Sequence, residues 1–426
     1  MQRRRPPLSA ILAVQAVCLV LLAASLAARL IQSEPAGSAL SGGTPSVVPV
    51  ERREAHRIEP LYDDPDVVSD EQLAAVLAKI RPEFSRDEMH PNYIEHALRT
   101  WGIEAEFDEP GVLSGAALRD FLLEHRRQAE VFGRDSRALL IERPGGVGVR
   151  WQQPYDPRVS AHHDHLLASL SEAGVPLDQP VFPPSGRRWA FNDVLQEAVR
   201  DFQVEDDETE WSAMAFALWF APETTRFRSG DGRTITFDLL ARRLMQSHKN
   251  VGVCHGTHRI YTLVVLWRLN EEFERSVLSE TVRREVWEYL TRIRDLIVES
   301  QFDDGHWPGN WADGRRAVAN AAGEPEHQPV IATGHHLEWL AIAPLELHPP
   351  REQIRKAAAW AIAATLGKRD EEIRRQYTFY SHIGNALALW RGTRPTEFRA
   401  KWQATHGGRP ADPPPIPDEL LPPTPQ

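Results

Sequence analysis

Cysteine is almost missing from this chain: there are two in 426 residues, Cys18 and Cys254. Cys18 lies inside an apolar run and Cys254 stands alone, so no disulfide ties the rest of the chain together. That absence leaves the compartment open, because a domain of this size needs no covalent staple. Positive charge is in deficit as well. Against 60 Asp and Glu stand 49 Lys and Arg, for a formal charge of −11. No basic stripe is available to follow a phosphate backbone, which excludes nucleic acid as a partner. Strand patterns are scarce too: only 139–142 and 147–151, either side of Pro144-Gly145-Gly146, read as a β-hairpin. What the chain does have is 42% apolar residues and 13 Trp, enough for a helical body with an aromatic-rich core.

The two ends differ from the middle. Arg3, Arg4 and Arg5 precede an apolar stretch over 8–28, about the ~20 residues that span a bilayer as a helix. Arginines stay on the cytoplasmic side, so 1–31 is expected to be a cytoplasmic tip and a single-pass anchor. A cleaved signal peptide is the competing reading, since Ser25-Leu26-Ala27 loosely fits a cleavage site. The apolar run exceeds a usual signal core, which favours the anchor. Either way the working domain lies outside the cytoplasm, at the inner membrane and in the periplasm if the source is bacterial. Residues 32–67, rich in Pro, Gly, Ser and charge, read as a flexible linker. Residues 406–426, dense in proline, read as a disordered tail.

Between them, 68–405 reads as helix after helix. Ser69-Asp70-Glu71 caps a helix with Leu73, Val76, Leu77 and Ile80 at helical spacing. Further helices are expected near 90–101, 114–131, 161–173, 189–203, 209–221, 234–247, 257–272, 279–300, 334–346, 351–366 and 379–390. Short loops between helices favour antiparallel hairpins. About six hairpins would close into an all-α, α/α-toroid double ring. Apolar helices such as 211–221, 257–269 and 379–390 would lie inside it. Charged amphipathic ones such as 279–300 and 351–366 would lie outside.

Three stretches carry the chemistry. Thr333-Gly334-His335-His336-Leu337-Glu338-Trp339 is expected to open a helix, with Thr333 or Gly334 as N-cap. His335 and Glu338, three apart, would share one face. Cys254-His255-Gly256-Thr257-His258 and Tyr380-Ser381-His382 repeat the arrangement. If those helices are parallel neighbours, their histidines meet in one cavity. A carboxylate one turn from an imidazole raises its basicity and fixes its tautomer. His335, Glu338 and His258 are therefore the expected catalytic residues. His336, His382, His255, Trp339, Trp307 and Asp304 are the expected substrate contacts. This reading needs no metal or cofactor. The alternative is a metal held by Cys254, His255 and His258, completed by His335 or His336. His162-His163-Asp164-His165 is expected at the surface, with Asp164 as a partial N-cap. Glu205-Asp206-Asp207-Glu208 is expected to be a solvated helix start, with Glu208 or Glu210 the choice should an acid line the cavity.

Two short resemblances bear on this. Gln301-Phe302-Asp303-Asp304-Gly305-His306-Trp307 resembles the Gln-x-Asp-x-Gly-x-Trp repeat of squalene/hopene cyclases and relatives of protein prenyltransferases. That likeness implies an α/α toroid in which the glutamine and tryptophan brace the ring and do not catalyse. The acidic motif of class II cyclases is Asp-x-Asp-Asp, and Val204-Glu205-Asp206-Asp207 lacks its first acid. Gly334-His335-His336-Leu337-Glu338-Trp339 is similar to a segment of N-acylglucosamine 2-epimerases and related sugar isomerases, which are (α/α)6 barrels. That likeness implies a histidine acid/base beside a sugar carbon and a glutamate that holds substrate. The leading expectation is thus a tethered enzyme that isomerises or cleaves a saccharide or similar small organic ligand. A terpenoid- or prenyl-handling enzyme and a non-catalytic toroid binding a peptide, glycan or envelope partner are the alternatives. The sequence identifies no protein partner beyond the membrane.

Overall fold

Helices buried on every side have no solvent to receive their polar residues, so those residues must face one another. This constraint explains the architecture. The computed structural model describes residues 48–152, 156–246, 252–320 and 323–407. The protein is mostly helical, and six helices form its interior: α1 (Pro91–Trp101), α2 (His165–Glu172), α3 (Glu210–Phe220), α4 (Val253–Glu272), α5 (His327–Ile342) and α6 (Tyr377–Trp390). Each packs on the next in chain order, and α6 packs on α1, so the contacts close on themselves. Every residue of α3, and all of α5 from Val330 onward, is buried.

Other helices lie against these from outside. Gly115–Leu123 packs on α1 and Phe237–Met245 on α3 and α4. Glu280–Ser300 covers α4, and Arg351–Leu366 covers α5 and α6. Glu280–Ser300 buries Val282, Val286, Leu290, Ile293 and Ile297, one residue per turn, and exposes its charges. The expected split into all-buried and one-sided helices is therefore found.

The hairpin forms with Leu140–Arg143 paired to Gly146–Val149. Two shorter antiparallel pairs, Pro180–Val181 with Trp189–Ala190 and Arg226–Arg228 with Thr234–Thr236, are additions to the sequence reading. So is the helix Pro395–His406. The expected helix over 114–131 is broken at Glu124, which turns extended to bridge Phe182, while the His125 amide donates to the Phe182 carbonyl.

The largest correction to the domain plan concerns the linker. Residues 48–67 are a packed strap. Val48 exchanges two hydrogen bonds with the Gln196 amide, and the Arg53 carbonyl accepts from Leu177 N just past α2. His56 N donates to Leu218 O of α3, Leu61 N to Ala341 O of α5, and Asp64 N to Trp390 O of α6. Arg268 of α4 donates to Glu59 O and Ile342 O. The last carbonyls of a helix have no partner within it, and the strap supplies donors to several such ends at once. The inner helices therefore end on one side of the molecule and run the same way.

The expected anchor at 1–31, the first part of the linker and nearly all of the tail lie outside the described residues. Among the described residues no helix is long and apolar enough to cross a membrane.

Candidate functional site

Parallel inner helices bring one ring from each helix to a common level. His382 lies 3.7 Å from His335 between ring centres, His335 4.7 Å from His258, and His258 4.4 Å from Trp211. Trp211 lies 4.5 Å from His165, His165 4.6 Å from His96, and His96 5.0 Å from His382. Five imidazoles and one indole make a closed circuit, and all six are buried. The convergence expected of His258, His335 and His382 is present. His96, His258, His335 and His382 sit more than a turn into their helices, whereas His165 and Trp211 stand in the first turn of α2 and α3. α5 begins at His327, with Pro329 in its first turn, where a missing N–H costs nothing. Gly334 is interior because α6 passes close by: a Cβ there would sit 3.2 Å from Ile383 Cγ1 and 3.3 Å from His382 Cβ.

Three residues along the same helices, hence on the same faces, lies a second polar layer: Arg99, Tyr261, Glu338 and Asn385. Glu338 Oε1 accepts from Arg99 Nη1 at 2.8 Å and from Asn385 Nδ2 at 2.6 Å. Its Oε2 lies 3.0 Å from His382 Nδ1 and 3.5 Å from His335 Nδ1. Arg99 Nε donates to Glu172 at 2.5 Å, and the guanidinium lies over the Tyr261 ring, whose hydroxyl donates to Glu172 at 2.7 Å. Burial pushes the Glu338 carboxyl up, but Arg99 and His382 more than offset it and hold it well below the usual carboxylate range. Burial works against Arg99 too, and there Glu172 and Glu338 win, keeping it charged.

Burial disfavours the protonated form of every histidine in the circuit. Loss of hydration, then the neighbouring His382, brings His335 down to about 3. Burial also lowers His382, and takes His258, His96 and His165 well below the ordinary imidazole value. His165 Nδ1 is 2.5 Å from Glu95, whose carboxyl burial pushes up to about 8. Burial thus favours the uncharged form of both partners, a carboxylic acid beside a neutral imidazole.

Not every polar atom is satisfied. Both ring nitrogens of His258, Nε2 of His335, Oε1 of Glu95 and Nε1 of Trp211 are buried without a hydrogen-bond partner. Each such atom costs roughly 1–3 kcal/mol, and native interiors keep few of them.

The remaining expected site residues fall elsewhere. His336, next to His335 but a hundred degrees around the helix, packs among Trp307, Trp311 and Trp339 and accepts from Trp339 Nε1 at 3.0 Å. Trp307 donates to Ile297 O at the end of Glu280–Ser300, and Gln301 donates to Gly305 O and Gln353 O. Asp304 holds His306 at 2.6 Å. His336, Trp339, Trp307 and Asp304, the expected substrate contacts, thus brace loops and helices away from the histidine circuit. The His255 side chain lies outside the described residues.

Two polar clusters read as surface features are inside. His165 is wholly buried on Glu95. Asp164, left-handed at φ 55°, accepts from Ser212 and caps nothing. Glu208 is buried against His162, and Glu210 is buried near Arg259. Glu205 and Asp207 of that acidic run are exposed as expected, Glu205 beside Arg233. The Cys254 thiol, at the first turn of α4, is pushed up to about 12 by burial. The residue before it, Val253, is left-handed at φ 42°, a strained state for a β-branched side chain, and its N–H is held by Gly309 O.

His96, Arg99, Glu95, His165, Tyr261 and Asn385 were missed by sequence reasoning. A signal for four of them was present. His96-x-x-Arg99, His258-x-x-Tyr261, His335-x-x-Glu338 and His382-x-x-Asn385 repeat one spacing in four inner helices. Glu95 and His165 follow no such repeat. A scan against family models matches none, and searches of curated proteins and of solved structures find no match.

Proposed function

We propose that this chain is a membrane-tethered α/α-toroid enzyme whose central histidine circuit acts on a small saccharide by acid/base chemistry. The carrying observation is that each of six inner helices gives one ring to a common buried level, over a layer containing one Arg–Glu pair. The closed order of inner helices and the Gln301–Trp307 brace support the toroid reading. The tether rests on the arginine-led apolar run at the start of the sequence.

In this reading His335 is the base. With Nδ1 turned to Glu338, its Nε2 lone pair faces the circuit unpartnered. Burial keeps the ring neutral and ready to take a proton. Glu338 then stabilises the imidazolium that forms, as a carboxylate does one turn along a helix. His258, with both nitrogens unpartnered, returns a proton from the neighbouring side, and Arg99 keeps Glu338 ionised throughout. A carbocation route fits less well, since five imidazoles with lone pairs would intercept a cation that aromatic faces alone would shelter. A purely structural cluster would have its polar atoms mutually satisfied, and here several are not.

The test is turnover of a saccharide panel followed by NMR, for the parent and for His335→Ala. A loss of about 10²–10⁴-fold is expected on removing an acid/base group. A fully folded His335→Ala protein as active as the parent overturns the assignment.

A further inference from the structure

The central circuit contains two trios of ligand-type atoms within 4.8 Å of one another: Cys254, His258 and His335, and His335, Glu338 and His382. They are not equivalent. In the second, Glu338 is already taken by Arg99, Asn385 and His382, and the Arg99 guanidinium lies 3.3 Å from His382 Nδ1. A cation there would displace a buried charge pair and stand beside a fixed positive charge. In the first trio, His258 is 4% exposed with neither nitrogen bonded, and His335 is 3% exposed with Nε2 free. Cys254 enters from the turn above His258, four residues earlier on the same helix. Two buried imidazoles short of partners and a half-buried thiol are the donor set that borderline divalent metals take.

We infer that Cys254, His258 and His335 bind a divalent transition metal, zinc by donor type, in the centre of the helical ring. Bonds of ~2.0–2.3 Å bring tetrahedral ligand atoms to within about 3.5 Å of one another, so a trio already within 4.8 Å needs only small side-chain shifts to close on a metal. The Cys254 thiol releases its proton to solvent as the metal–sulfur bond forms, as coordinated thiols do. The three protein ligands leave the fourth position for water or a substrate oxygen. This inference concerns the same site as the saccharide reading and competes with its acid/base assignment, because His335 Nε2 and His258 cannot ligate a metal and carry a proton at once. It does not depend on turnover for its test.

The experiment uses the full chain, stripped by chelator and titrated with Co²⁺ and with Zn²⁺. The expected result is one metal per chain by elemental analysis, and a thiolate-to-cobalt charge-transfer band that Zn²⁺ abolishes. Cys254→Ser should lose the band and weaken metal binding by at least about tenfold, while Glu338→Gln keeps both. The parent chain alone decides the matter if variants misfold. Absence of stoichiometric metal, or a cobalt spectrum without a thiolate band, overturns the inference. So does a folded Cys254→Ser protein that binds as the parent does. A metal-free parent that turns over a saccharide would remove the metal and keep the acid/base reading. A metallated parent inert on every saccharide would do the reverse.

Discussion

Arg99 is the residue on which the centre's charge balance turns. It is buried between Glu172 and Glu338, within 2.5 and 2.8 Å of their oxygens. Such a charge is worth most through what its loss leaves behind. Arg99→Met strands the buried Glu338 carboxylate and the partly buried Glu172 one, and should cost about 3–5 kcal/mol in denaturant unfolding. Adding Glu338→Gln should recover part of that, because one stranded charge is gone. A double variant that is simply the sum of its singles would contradict the pairing. Glu95 acts in the opposite sense. Its carboxyl is raised by burial to about 8, so the folded state keeps a proton that the unfolded chain gives up above its ordinary carboxyl value. Stability from this group is therefore fully present in acid and lost as pH rises to about 8, by up to ~1.4 kcal/mol per pH unit. His96 and His165, lowered by burial, contribute stability that is present above the ordinary imidazole value and lost as pH falls below it. Together they set a stability maximum near pH 6.5. Melting curves from pH 5 to 9 should show it, with the alkaline limb flattened in Glu95→Gln; an unchanged limb in that variant would sink the assignment.

At the scale of elements, close approach between helices is what positions the rings. Gly384 of α6 faces the outer helix end at Ile80, where an added Cβ would fall 2.1 Å from Ile80 Cδ1. Gly384→Ala should cost roughly 1–3 kcal/mol by overpacking. Ile80→Val, which deletes the offending methyl, should restore at least half of it, and no rescue would mean that the contact is not what the glycine serves. The helices themselves were legible because their apolar spacing is regular: the one-sided stripe of Glu280–Ser300 and the unbroken apolar run of α3 both survive into the fold. Helix starts were less legible. Gly334 looked like a cap because glycine usually interrupts helices, whereas here it buys proximity between α5 and α6. Asp164 looked like a cap for the same local reason, and its tertiary partner Ser212 cannot be read from neighbouring residues.

At the scale of the molecule, the strap over 48–67 was illegible for a physical reason. It has no periodicity, since its role is to donate backbone N–H groups to helix ends, and any side chains permit that. The histidine circuit was half legible: His258, His335 and His382 share a sequence context, but His96 and His165 join only through the order in which the helices close. The rings are held at one level, over a charged layer, and with unmade hydrogen bonds that a stable scaffold would not keep without use. If the proposed chemistry is right, the parent chain in D₂O should exchange a carbon-bound hydrogen of at least one saccharide for deuterium, seen as a vanishing proton resonance. Glu338→Gln should slow that exchange at least about a hundredfold. A parent protein that leaves every saccharide proton in place, or a folded Glu338→Gln protein that exchanges at the parental rate, would contradict it.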